Sequence, residues 1–151
     1  MIAFREITTG LRFPEAPIAV PEGAVVLGEI EERRLTRVHP DGRKEVICET
    51  GGGPNGAAIG PSGRCYICNN GGFACTEDEY GQRSIGKTKD YSGGRIEAVD
   101  LATGELEVVF THAGDVLLKG PNDIVFDRHS GTWCTDLGKV NGRLMDRGAI
   151  F

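Results

Sequence analysis

Hydrophobic and polar residues alternate along much of this chain. Arg34-Leu35-Thr36-Arg37-Val38-His39 alternates, and so does Arg95-Ile96-Glu97-Ala98-Val99-Asp100. Glu105-Leu106-Glu107-Val108-Val109-Phe110 reads as a half-buried strand with an apolar end. A period of two sends successive side chains to opposite faces of a strand. No window longer than ten residues carries apolar positions at helical spacing. Turn signals stand between the alternating stretches: Pro40-Asp41-Gly42, Pro61-Ser62-Gly63, Thr103-Gly104 and Ser130-Gly131. The pattern predicts an all-β protein of short antiparallel strands.

The strands fall into a repeat. A proline followed by a carboxylate or amide opens each unit: Pro14-Glu15, Pro54-Asn55 and Pro121-Asn122. A short apolar segment follows (Ile18-Ala19-Val20, Ala57-Ala58-Ile59, Ile124-Val125-Phe126), then a turn glycine (Gly23, Gly63, Gly131), then a second strand. In the first two units a third and a fourth strand follow. Four antiparallel strands per unit is the plan of a propeller blade. The openings stand 40 residues apart (15 to 55) and then 67 apart (55 to 122). The excess in the second unit is the polar stretch 73–92, which reads as a long inserted loop covering one mouth of a channel. The third unit stops after Gly148-Ala149-Ile150-Phe151, the start of a third strand. The sequence therefore predicts blade 1 at about 11–50, blade 2 at about 54–112 and an incomplete blade 3 at about 121–151. An unclosed ring exposes strand edges, so the expectation is a fragment or a self-associating half.

Composition sharpens this in two ways. Twenty-three glycines among 151 residues suit many short elements joined by tight turns. A formal charge of −5 lacks the electrostatic footprint for nucleic acid or an anionic membrane. No apolar run is long enough for a bilayer span, and Met1-Ile2-Ala3-Phe4-Arg5-Glu6 does not read as a secretory signal, so the expected location is cytoplasmic. Cys65-Tyr66-Ile67-Cys68 has C-x-x-C spacing, but it sits in an apparent strand, and no second pair follows. The cysteines read best as small buried hydrophobes, with a zinc or redox site as the weaker reading.

The segments Gly10-Leu11-Arg12-Phe13-Pro14-Glu15-Ala16-Pro17, Gly53-Pro54-Asn55-Gly56-Ala57-Ala58-Ile59 and Gly120-Pro121-Asn122-Asp123-Ile124-Val125-Phe126-Asp127 resemble blade openings of one family. This is the family of gluconolactonase, regucalcin (senescence marker protein) and luciferin-regenerating enzyme. Thr135-Asp136 resembles the end of a blade's second strand. The resemblance implies a partial six-bladed β-propeller of about two and a half blades, since six units need about 240–300 residues. It also implies a divalent metal ion (Ca, Zn, Mn or Mg) on the propeller axis and hydrolysis of a small lactone, commonly a sugar lactone.

By the same resemblance Glu15 is a metal ligand. Asn122 lies beside the metal as ligand or substrate contact, and Asp123 helps to form the substrate site. Asn55 either lines the pocket or serves the turn. The family's fourth-blade Asn and its fifth-blade Asp, ligand and base, have no counterpart here, so no catalytic base is expected in this chain. Ala16 replaces the family's more usual Gly. Hard cations favour carboxylate and amide oxygens, which is the donor set that these positions offer.

Other residues have plainer readings. Asn69-Asn70-Gly71-Gly72 reads as a loop or polar rim, Asp136 as a channel residue or turn cap, Glu77-Asp78-Glu79 as a solvated loop face, and Trp133 as core. The competing function is a non-catalytic half-propeller that assembles with a partner.

Overall fold

The computed structural model describes residues 3–79 and 81–151. The N-terminal reading rests partly on Met1 and Ile2, which lie outside the described residues, as does Tyr80 within the 73–92 stretch. The first sheet has the order β1 (Pro14–Ala19), β2 (Val25–Glu29), β3 (Arg34–Val38) and β4 (Lys44–Glu49), all antiparallel. A single 3-10 turn, Pro21–Gly23, joins its first two strands. The second sheet begins with β5 (Pro54–Ile59) and β6 (Cys65–Asn69). A separate hairpin, β7 (Phe73–Asp78) and β8 (Gly81–Lys87), intervenes before the second sheet resumes with β9 (Arg95–Val99) and β10 (Leu106–Phe110). The 73–92 stretch is thus largely a hairpin, where a loop was expected. A short hairpin, β11 (His112–Ala113) and β12 (Val116–Leu117), leads to the third sheet. That sheet holds β13 (Pro121–Phe126), β14 (Thr132–Asp136) and β17 (Ala149–Ile150), with the hairpin β15 (Val140–Asn141) and β16 (Leu144–Met145) between the last two. Among the described residues no helix is long and apolar enough to cross a membrane.

Two cores hold the sheets together. Val26 and Leu35 of the first sheet meet Cys65, Ile67 and Val99 of the second. On the other face of the second sheet, Cys68 and Ile96 meet Leu118, Ile124 and Cys134. Strand β6 is therefore sandwiched. Cys65 and Ile67 serve one core, and Tyr66 and Cys68 pack on the other. The Tyr66 ring meets Phe126 edge to face, with centroids 5.0 Å apart. This explains the continuous apolar run from Cys65 to Cys68, since a strand buried on both faces need not alternate. It also divides the C-x-x-C pair between two cores. Burial pushes the Cys65 thiol up to about 12 and raises Cys68 as well, so both stay neutral and poorly nucleophilic.

Trp133 departs from its core expectation. It is 53% exposed, and its indole N–H donates to Asp127 Oδ2 at 3.1 Å. In β14 the alternation turns Cys134 inward toward Ile124, so its neighbour Trp133 faces out opposite Val125.

Candidate functional site

The three sheets begin in the same way. In each first strand the register with the second strand slips by one residue just after the opening proline: between Glu15 and Ile18, between Pro54 and Ala57, and between Pro121 and Ile124. A β-bulge adds one residue, breaks the ladder and re-aims side chains. Glu15, Asn55 and Asn122 stand at or within these bulges. Ala16 takes a left-handed φ of 49°, a conformation costly for a residue with a Cβ. This gives a physical reason for glycine at that place.

The first strands also pack against each other. β5 lies against both β1 and β13. Gly56 makes the second approach possible: a Cβ there would lie 2.3 Å from the Asn122 carbonyl oxygen and 2.4 Å from Asp123 Cα. The Asn-Gly pair therefore brings Asn55 and Gly56 against Asn122 and Asp123. Asn55 is buried, and Asn122 is half-buried. Glu15 is exposed. No hydrogen bond engages the side chain of Glu15, Asn55 or Asn122 among the described residues, so their oxygens are free for a ligand. Asp123 is more committed. Its Oδ1 accepts the Ile124 N–H at 2.9 Å, and its own N–H donates to Thr135 Oγ1 at 3.1 Å.

A second set of residues, missed as a set by the sequence reading, positions these openings. Each second strand ends in a buried polar residue directly opposite the opening proline: Glu29 opposite Pro14, Asn69 opposite Pro54 and Asp136 opposite Pro121. Each one accepts backbone N–H groups from the segment before that proline. Glu29 Oε2 accepts Arg12 N–H at 2.8 Å. Asn69 Oδ1 accepts Gly53 N–H at 2.9 Å. Asp136 accepts Lys119 and Gly120 N–H at 2.7 and 2.8 Å. These bonds satisfy backbone donors that would otherwise be buried unpaired and fix the chain two or three residues ahead of Glu15, Asn55 and Asn122. Asp136 accordingly caps a segment, and Asn69 belongs to the core of its sheet where a plain loop was expected. A signal was available: Glu15 to Glu29, Asn55 to Asn69 and Asn122 to Asp136 are each 14 residues apart.

The first two clamps are reinforced from the third strand. Arg34 Nε and Thr36 Oγ1 donate to Glu29 Oε1 at 2.8 and 2.7 Å. Burial pushes the Glu29 carboxyl up, but Arg34, Thr36 and the Arg12 N–H together outweigh it and hold it below the ordinary range. In the second sheet the roles are exchanged. Asn69 Nδ2 donates to Glu97 Oε2 at 2.9 Å, and Arg95 Nε donates to Glu97 Oε1 at 2.5 Å.

The β7–β8 hairpin spans this end of the molecule. On one side Gln82 accepts the Phe13 N–H at 2.8 Å and donates to Glu31, while Glu77 pairs with Arg12 at 3.0 Å. Glu77 and Asp78 thus lie in a strand and form ion pairs, with Arg12 and Arg83, where a solvated loop face was expected. On the other side β8 meets β15. The hairpin bridges the segment just before Glu15 and the β15–β16 hairpin. Among the described residues no group of three His, Cys, Asp or Glu side chains converges as a metal site.

Comparison with known proteins agrees with this architecture. A gluconolactonase from Xanthomonas campestris superposes with a TM-score of 0.59 at 22% identity, over 82% of this chain and 34% of that one. A structural-genomics protein provisionally assigned as a gluconolactonase gives 0.67 at 20% identity, over 97% and 47%. The PQQ-bound aldose sugar dehydrogenase from Streptomyces coelicolor gives 0.56 at 20% identity, over 87% and 40%. The chain thus spans less than half the length of each of these structures, and at such identities the likeness concerns the fold, which is propeller-like. A search of curated proteins found no match. The family profile described as the SMP-30/gluconolactonase/LRE-like region matches residues 13–151, so the chain belongs to that family.

Proposed function

We propose that this chain is the N-terminal part of a metal-dependent lactone hydrolase built as a six-bladed propeller. Its three sheets would be blades 1 and 2 and part of blade 3. The observation that carries the reading is the placement of Glu15, Asn55 and Asn122 at equivalent bulges of three adjacent strands, each with side-chain oxygens free of hydrogen bonds. Family membership supports a lactone as substrate. The share of the related structures that the chain spans supports a missing remainder.

Glu15 and Asn122 would hold a divalent cation, Ca, Zn, Mn or Mg, because all three openings offer oxygen donors suited to a hard ion. The ion would supply polarisation of the lactone carbonyl and a more acidic water. Asn55, Asn122 and Asp123 would orient the lactone, with amide N–H groups meeting its oxygens. Glu29, Asn69 and Asp136 keep these side chains in place through the backbone. The base that takes the water's proton would come from outside this chain.

Titrating the chain with calcium and zinc, with molar mass read by light scattering in the same samples, tests the metal site. Divalent binding that disappears in Glu15→Gln supports it, and unchanged binding in that variant overturns it. Sugar-lactone opening by the chain joined to its remainder tests the activity. A second reading, a non-catalytic module that pairs with its own copy, is favoured by the exposed apolar row Val125, Trp133 and Ile150 on the third sheet. A monodisperse monomer would remove that reading.

A further inference from the structure

Lys139, between β14 and β15, is only 8% exposed. Its Nζ reaches Asn70 Oδ1 at 3.4 Å and the Gly72 carbonyl at 3.5 Å, both long contacts. It sits 3.8 Å from the centroid of the Phe73 ring and 5.4 Å from that of Tyr91. Among the described residues no carboxylate pairs with it. A buried ammonium with only neutral, distant acceptors and ring faces is under-compensated. Desolvation, with Lys87 nearby, lowers it to about 8, while Asp136 acts in the opposite direction. The amide that it touches is also incomplete: Asn70 is buried, and its Nδ2 has no partner.

Two open cavities adjoin this lysine. One, of about 470 Å³, lies between the β7–β8 and β15–β16 hairpins against Phe73, Lys87 and Met145. The other, of about 440 Å³, is lined by Tyr91, Lys119, Asn141 and Leu144, and Lys87 reaches it too. Asp146 lines both, but it is already paired with Lys119. Lys87, whose Nζ lies 5.0 Å from the Tyr91 centroid, has no carboxylate partner among the described residues. Two ammonium groups therefore face this space with no carboxylate paired to either among the described residues, beside two aromatic rings.

We propose that Lys139 and Lys87, with the Tyr91 and Phe73 rings beside them, form a binding site for the oxyanion of a sugar acid. The anion's oxygens would replace the weak contacts of Lys139 with charge-assisted ones, and the rings would receive the C–H face of the sugar. Carboxylate and phosphate share this chemistry. The sugar part rests on the lactonase reading, since opening a sugar lactone yields a hydroxy acid. The anion part does not.

Calorimetric titration of the chain without divalent metal, using sodium gluconate, inorganic phosphate and uncharged glucose, tests the site. We expect one anion per chain and no glucose binding. Lys139→Met should weaken anion binding about tenfold or more and keep or raise the melting temperature, because it removes a buried charge from apolar walls. Lys87→Met should weaken it by less. Raising the pH from 7 to 9 should weaken binding in the wild type, since Lys139 loses its charge near 8; Lys87, Lys119, Asp136 and Asp146 are the other charged groups around it. Gluconate binding tighter than phosphate would identify a carboxylate sugar acid, and the reverse order a phosphorylated one; both support the site. Equal binding of glucose would overturn it. So would anion binding unchanged in Lys139→Met. Gluconate binding lost in Glu15→Gln but kept in Lys139→Met would place the anion at the strand openings and overturn it as well. Failure of lactone opening, with anion binding intact, would count against the lactonase reading alone.

Discussion

In the second sheet, β6 is buried on both faces, with Cys65 and Ile67 against the first sheet and Cys68 against the third. In the third sheet, β14 buries Cys134 on one face and leaves Trp133 53% exposed on the other. The polar ends of the two strands differ in the same sense. Asn69 is linked to Glu97 and through it to Arg95, whereas Asp136 accepts backbone N–H groups and has no arginine from a third strand. Opposite Asp136 stands Ala149, where Arg34 and Arg95 stand in the other sheets. The backbone clamp is thus common to all three sheets, while the cation that locks it and the neighbour that covers it are present only where a sheet has packed partners on both sides or a complete set of four strands.

Core truncation should break this comparison most strongly. Ile67→Ala should cost about 3 to 5 kcal/mol in urea unfolding, because it empties a fully buried site between two sheets. Ile150→Ala, at 73% exposure, should change stability by less than about 0.5 kcal/mol. A large cost at Ile150 would mean that the open face of the third sheet is covered in solution. Next comes Gly56→Ala. The added Cβ meets backbone atoms of Asn122 and Asp123, which cannot swing aside. A loss of about 2 to 3 kcal/mol, together with weakened divalent binding, should appear in thermal melts and ion titrations.

Glu29→Gln should cost about 1.5 to 3 kcal/mol at neutral pH, the worth of hydrogen bonds to a charged group. The wild type should also lose stability as the pH falls below about 4.3, the unfolded carboxyl's value. Its folded pKa is depressed, so the unfolded chain takes up protons first. The Gln variant should lack that part of the acid slope in melts run at stepped pH. A modest, favourable change is expected for Ala16→Gly. Relief of the left-handed φ should raise stability by about 1 kcal/mol, read as a higher melting temperature.

Much of this was legible in the chain. Alternating residues and turn glycines gave strands close to those observed, and the Pro-Glu and Pro-Asn openings marked the first strand of each of the three larger sheets. The 14-residue spacing to Glu29, Asn69 and Asp136 was equally present, but unremarkable residue types hid it. Trp133 was misjudged because a strand's apolar residue reports burial only if its face is known, and that depends on which sheet packs where. The 73–92 stretch lacked a clear alternating pattern, since its hairpin is half exposed and tied by polar bonds to Arg12, Phe13 and Glu31.

By itself the sequence determined the β class, the number of strand openings and the residue types that face one another at them, because strand period, proline and glycine act locally. The tertiary structure decided which of those residues are held and which are left free. Lys139 shows this most plainly. Nothing around it in Gly138-Lys139-Val140 sets it apart from a surface lysine. It is buried because the β6–β7 connection and the start of the β7–β8 hairpin close over it, a contact between segments about seventy residues apart (139 and 70 to 73). Burial and the charges around a group depend on such distant neighbours, and no local pattern encodes them.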